Sequence, residues 1–189
     1  MEVINKKHII TLAGDIASGK GSVAEILNQQ LGYTIYSNGQ YFRKLALEHN
    51  MSVREFNIYV ENHTDIDLQI EKNAKEYADT HNNIVIDARL GWYVVPDSFK
   101  IYLKVDLNES ARRVLNDFRG KVEQYDNFEQ AKKEIAERYS LENERYYKVY
   151  KIRKDDLSNY DLIIDTTNVA PRKVADEIIQ KYNEWLKNS

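Results

Sequence analysis

Gly14-Asp15-Ile16-Ala17-Ser18-Gly19-Lys20 follows the apolar run His8-Ile9-Ile10-Thr11-Leu12-Ala13 and leads into a helical pattern. Residues of these types at this spacing can hold a phosphate. A strand delivers the chain to a turn, two glycines let backbone N–H groups approach an anion, and the next helix aims its positive end at the same point. The Lys20 ammonium would then reach the outer phosphates of a nucleotide. The bare Gly-x-x-x-x-Gly-Lys pattern arises by accident in roughly one chain in twenty of this length, so the flanking strand and helix carry much of the inference. Gly14, Ala17, Ser18, Gly19, Lys20, Gly21 and Ser22 form the expected nucleotide-binding segment.

Other candidates lie far along the chain. Ile84-Val85-Ile86-Asp87 reads as a buried strand ending in an acid, which beside a phosphate loop would put a carboxylate next to the nucleotide's magnesium. Arg89 falls on the same side of the crevice where open parallel sheets bind ligands. Ser37-Asn38-Gly39-Gln40-Tyr41-Phe42-Arg43 follows another short strand and opens a helix, where Gly39 permits close approach and Arg43 can fork onto a phosphate. Arg138 and Arg145 are two helical turns apart and hence on one face. Two guanidinium groups placed there suit a transferring phosphoryl group, whose chemistry is mostly charge neutralisation and positioning. Without the loop they would read as solvated salt-bridge partners of Glu134, Glu142 and Glu144.

These residues need a scaffold, and hydrophobic period and punctuation outline one. Strands are expected at 8–13, 33–36, 83–87, 100–105 and 161–165, separated mostly by helical patterns. That alternation predicts an α/β fold with a five-stranded parallel sheet and helices on both faces. Ser52-Val53-Arg54-Glu55 is a capping box that starts a helix, and Thr64 or Asp65 is expected to cap another. Residues 108–150 read as two charged helical arms broken at Gly120. Pro171 suits the first turn of the last helix, and Tyr146, Tyr147 and Tyr150 are expected to pack between helices rather than stack on bases.

Composition narrows the functional classes. The 189 residues, 42% hydrophobic, are enough for one compact domain. No apolar run approaches bilayer length and the N-terminus lacks a secretory core, so a soluble cytoplasmic protein is expected. The absence of cysteine excludes disulfides and thiolate metal sites, and His8, His49, His63 and His81 lack metal-ligand spacing. A formal charge of −3 argues against a nucleic-acid-coating surface. Small anionic ligands need only a local basic cluster.

Gly21 stands where the commonest phosphate loops carry Ser or Thr, and Ser22 comes one place later, a pattern that resembles nucleoside monophosphate kinases such as adenylate and cytidylate kinase. The resemblance to cytidylate kinases, particularly the compact archaeal-type branch, runs nearly end to end. It rests on Ser37-Asn38-Gly39-Gln40-Tyr41-Phe42-Arg43-Lys44-Leu45-Ala46, Met51-Ser52-Val53-Arg54-Glu55-Phe56-Asn57 and Asp65-Ile66-Asp67. It continues through Asp87-Ala88-Arg89-Leu90-Gly91-Trp92, Ala111-Arg112-Arg113-Val114, Arg145-Tyr146-Tyr147-Lys148-Val149-Tyr150 and the stretch from Asp156 to Thr167.

The resemblance implies a three-layer P-loop kinase fold with a small helical lid over about 116–140 and acceptor-binding helices over about 38–80. It implies transfer of the ATP γ-phosphoryl to CMP or dCMP with Mg2+, by a monomer without nucleic-acid or membrane partners. Lys20, Arg138 and Arg145 would neutralise the migrating group, with Arg89 and Asp87 in the same catalytic set. Ser37, Gly39, Arg43, Asp67 and Arg89 would bind the acceptor, and Ser22 and Asp87, through water, would serve the metal. Leu90 stands where bacterial relatives carry an acid after the base-contacting arginine, which leaves Asp67 or Ser37 to read the base, and Ala136 replaces a lid arginine. Two alternatives stay open: a kinase of another monophosphate or small metabolite, and a non-catalytic ATP-binding regulator. The Arg43, Arg89, Arg138 and Arg145 set speaks against the regulator, which needs no second anion site.

Overall fold

The fold is described from a computed structural model that defines residues 7–117 and 124–188. Its centre is β1 (Ile9–Gly14), whose residues Ile9 to Ala13 are all buried. Around it lie β2 (Thr34–Ser37), β3 (Ile84–Asp87), β4 (Phe99–Lys104) and β5 (Leu162–Asp165). They form one sheet in the order β2-β3-β1-β4-β5, every neighbouring pair parallel. Each strand boundary falls within one residue of the sequence expectation. The helices are α1 (Lys20–Leu31), α2 (Asn38–Glu48), α3 (Val53–Val60), α4 (Thr64–Thr80), α5 (Gly91–Val94), α6 (Leu107–Asn116), α7 (Phe128–Tyr150) and α8 (Pro171–Lys187).

A period of two along each strand sends alternate side chains to opposite faces. Ile10, Leu12, Val85, Ile101 and Leu103 pack with Val23 and Leu27 of α1 and with Val174, Ile178 and Tyr182 of α8. Ile9, Ile84 and Ile86 face the other way, onto Ala78 of α4 and Val94 of α5. Both faces are therefore covered, as the near-continuous apolar strands require. Two further clusters join the peripheral helices. Ala111 and Val114 of α6 pack with Ala131 and Ile135 of α7, and Ala46 of α2 packs with Val53, Phe56 and Val60 of α3.

Topology determines where a ligand fits. From β1 the chain moves to β2, returns to β3 between them, and then crosses to β4 and β5 on the far side. The direction of winding reverses at β1, and a crevice opens beyond the carboxyl ends of the strands there. Register aligns those ends: Asp87 pairs with Leu12 on one side and Ser37 on the other, while Gly14 pairs with Leu103.

The helix termini mostly follow local rules. Ser52 and Glu55 complete a reciprocal capping box on α3, and Pro171 opens α8. α4 differs from expectation. It begins at Thr64 with His63 as the N-cap residue and no side-chain cap; Asp65 and Asp67 sit in its first turn, where their charges still favour the positive helix end. Tyr147 also departs, being 56% exposed with the Lys151 ammonium over its ring, whereas Tyr146 is buried against Tyr150. The expected break at Gly120 lies outside the described residues, as does part of the expected lid. Among the described residues no helix is long and apolar enough to cross a membrane.

Candidate active site

The loop after β1 is bent by necessity. Gly14 has φ 145°, and a Cβ there would lie 2.2 Å from the Leu103 carbonyl oxygen, so β1 and β4 can lie together only over a glycine. Ala17 (φ 57°) and Gly19 (φ 86°) then enter the left-handed region, the kind of backbone path that builds anion-binding nests. Gly19 caps α1, whose first turn presents further unpaired N–H groups.

Neighbouring elements hold this loop from several sides. The Asp15 carboxylate accepts hydrogen bonds from Tyr102 Oη (2.7 Å) and from the Val105 amide (2.9 Å). Ser110 Oγ of α6 donates to the Ile16 carbonyl (2.6 Å), and Arg113 Nη1 donates to the Ala17 carbonyl (3.1 Å). Thr166 Oγ1, just past β5, donates to the Ser18 carbonyl (3.0 Å). Lys20 folds over its own loop, its Nζ donating to the carbonyls of Gly14 (3.1 Å) and Asp15 (2.7 Å). Burial pulls the Lys20 ammonium down to about 7, with Asp87 the main opposing charge.

Across the crevice, two buried carboxylates organise the other cations. Glu142 of α7 is 2% exposed and holds Arg89 (2.5 Å), Arg138 (3.0 Å) and Lys154 (2.7 Å) at once. Burial alone would favour its neutral form; Arg89, Lys154 and Arg138 outweigh burial and hold it well below the usual carboxylate range. Arg145, 4% exposed, pairs with Asp67 of α4 at 2.6 Å, with neither Nε nor Oδ2 in a well-aligned hydrogen bond. Arg145 Nη1 also reaches the Asn57 carbonyl of α3 at 3.4 Å. Ser37 Oγ donates to Asp87 Oδ2 (3.0 Å) and caps α2.

One cavity of about 660 Å³ collects these groups. Ala17, Ser18, Gly19, Lys20, Gly21, Ser22, Ser37, Gly39, Arg43, Asp67, Asp87, Arg89, Arg138 and Arg145 all line it. Gly14 does not; it lies behind the loop and contributes its carbonyl to Lys20. Two expectations change in detail. Arg138 and Arg145 share the cavity wall but are held by different carboxylates, and neither is a solvated surface residue. A Cβ on Gly39 would make only ordinary contacts with Arg43 and Ser37, so the chain itself does not require a glycine there. Leu90 is fully buried and does not line the cavity.

Sequence reasoning overlooked the central part of Glu142, took Asn38 only as a member of the Ser37–Arg43 motif, and missed Lys154 and Glu71 altogether. For Glu142 a signal existed, since it stands four residues after Arg138 and three before Arg145, on their helix face. Lys154 follows α7 in a stretch without any motif.

A doubly wound parallel sheet, a strand–loop–helix phosphate cradle and a cation-lined crevice beyond it define the P-loop kinase fold. Solved structures agree: shikimate kinase from Acinetobacter baumannii in complex with shikimate superposes with a TM-score of 0.60 at 14% identity, covering 97% of this chain and 95% of that one. Sequence resolves the family further. The Cytidylate kinase-like family matches residues 9–168. A protein named cytidylate kinase from Methanocella arvoryzae is 37% identical over 180 residues, covering 95% of this chain and 99% of that protein. Another of that name from Thermoplasma volcanium is 34% identical over 183 residues, covering 94% and 93%. The chain belongs to the Cytidylate kinase-like family.

Proposed function

We propose that this protein transfers the γ-phosphoryl group of ATP to CMP or dCMP, releasing ADP and CDP or dCDP. The observation that carries the reading is the meeting, in one cavity, of a phosphate loop with a second set of cations from α2, the end of β3 and α7. One bound nucleotide does not need both. Two adjacent anions do, because their approach is opposed by charge and has to be neutralised for in-line transfer.

The loop and Lys20 hold the donor's phosphates, and Arg43 and Arg89 hold the acceptor's phosphate. Arg138 and Arg145 face the space between, where charge shifts from leaving to attacking oxygen. No side-chain nucleophile is required. Part of 116–140 closes as a lid that excludes water, while the helices within 38–80 frame the acceptor. Ser22 and Asp87 offer a hydroxyl and a carboxylate on the same wall. A Mg2+ there would be held mainly by the substrates' phosphates and by water. When bound, that ion would shield the phosphate charge. On this reading the protein acts as a monomer in the cytoplasm on small soluble substrates.

An acceptor panel tests the reading: ADP release from ATP with CMP, dCMP, UMP, AMP or no acceptor. Release that depends on CMP or dCMP is expected. Equal or greater turnover of AMP or UMP would replace the acceptor, and tight ATP binding with no transfer to any monophosphate would make the protein a regulator.

A further inference from the structure

The sequence left Asp67 or Ser37 to read the acceptor's base, yet both are engaged, Asp67 by Arg145 and Ser37 by Asp87 and the cap of α2. Two further buried polar residues lie beside them. Asn38 and Glu71 are 8% and 5% exposed, and both line the cavity on its α2 and α4 side. The Asn38 amide approaches the Glu71 carboxyl as a hydrogen-bond donor and partly offsets the effect of its burial, but neither amide atom of Asn38 nor Glu71 Oε2 is in a well-aligned hydrogen bond. A buried polar atom without a good partner costs about 1–3 kcal/mol, and two such residues facing one cavity mark a place where a ligand supplies the missing bonds. Ile70 lines the same wall between Asp67 and Glu71 and offers an apolar surface for a ring.

We propose that Glu71 and Asn38 form the subsite that reads the hydrogen-bonding edge of the acceptor's base. This rests on the kinase reading above, and it deepens it by naming what recognises the nucleoside. Burial, reinforced by the neighbouring Asp67 carboxylate, lifts the Glu71 carboxyl to about 8, so at neutral pH it keeps its proton. A neutral carboxylic acid presents an O–H donor and a carbonyl acceptor side by side. Cytosine presents the complement, an acceptor ring nitrogen next to an amino donor, and the Asn38 carboxamide can add either kind of bond. The chemical class is a base with adjacent donor and acceptor on one edge. An ionised Glu71 would instead set a second negative charge beside Asp67 and offer the ring nitrogen no proton.

Ribose 5-phosphate isolates the base because it keeps the sugar and phosphate. Binding of CMP and of ribose 5-phosphate is measured by calorimetry at pH 7 for the wild type, Glu71→Leu, Glu71→Gln and Asn38→Ala, alongside CMP turnover. The Leu variant should lose about ten- to a hundredfold in CMP affinity with ribose 5-phosphate unchanged. The Gln variant, which still pairs a donor with an acceptor, should stay within about threefold of wild type, and Asn38→Ala should lose a smaller factor, selectively for CMP. Leucine replaces a poorly bonded carboxyl by an apolar group of similar size, and should Glu71→Leu fail to fold, Asn38→Ala decides alone. An unchanged preference for CMP over ribose 5-phosphate in the folded variants, with wild-type turnover of CMP intact, overturns the subsite only. Wild-type protein that phosphorylates no monophosphate overturns the reading beneath it as well.

Discussion

Glu142→Gln puts the charge network of the crevice to the hardest test. The substitution keeps the side chain's size and removes one negative charge from a point touched by Arg89, Arg138 and Lys154. Breaking a buried ion pair costs about 3–5 kcal/mol because its partner is left uncompensated. Here the cationic side chains retain 17%, 15% and 8% exposure, which lets water take up part of the loss and points to the lower end, about 3 kcal/mol. For a chain of this size that is a fall in Tm of about 6–12 °C at pH 7. The pH dependence separates charge from shape. Because the folded carboxyl lies below its unfolded value of 4.5, the unfolded chain binds the proton first as pH falls, and the stability from Glu142 drains away below that value. The wild-type advantage should therefore be full above about pH 5 and shrink progressively as pH falls below 4.5. Millimolar pyrophosphate, which supplies negative charge to the same cations, should raise the variant's Tm more than the wild type's. Thermal unfolding followed by circular dichroism measures all three. A loss below 2 °C at pH 7, or one that persists undiminished in acid, would show that the three cations do not depend on this carboxylate.

Other outcomes concern the phosphate loop. Lys20→Met should lower kcat by about a hundred- to a thousandfold while leaving the circular dichroism spectrum intact, since an electrostatic donor at the reacting phosphate is worth about 2.7–4 kcal/mol; unchanged turnover would remove Lys20 from the mechanism. Lys20, lowered from 10.5 to about 7 by burial, favours the folded state increasingly as pH rises from 7, whereas bound phosphate favours its charged form. ATP affinity should consequently fall about fivefold between pH 7 and 8, with proton uptake seen by calorimetry in buffers of different ionisation heat; affinity flat across that range contradicts the lysine's part. Gly14→Ala drives a methyl group into the Leu103 carbonyl and should cost more than about 3 kcal/mol in urea unfolding, whereas Gly19→Ala has open space and should cost about 1–2 kcal/mol of backbone strain. Equal costs at the two positions would refute that distinction.

What the sequence disclosed follows the range of the interactions involved. The phosphate loop, the acid at the end of β3 and the Ser52 capping box are contiguous patterns, each specified by neighbours in the chain, and all three stand in the structure as read. Arg138 and Arg145 were legible as a pair because helical spacing is local, but their partners were not, since Asp67 reaches Arg145 only through the packing of α4 against the remainder of the site. Glu142 looked like an ordinary member of a charged helix; only the fold reveals that three cations close over it. The missed cap of α4 has a milder cause. Thr64 and Asp65 carry the right side chains for a cap one residue before the helix, and the helix starts one or two residues too early to use them.

The many tethers on the phosphate loop carry an energetic implication. A segment clamped by Tyr102, Ser110, Arg113 and Thr166 is already a rigid socket, so capture of the donor's triphosphate demands little rearrangement of the backbone around it. The ordering of that backbone is complete before the donor arrives, so little of the binding free energy is lost to fixing it.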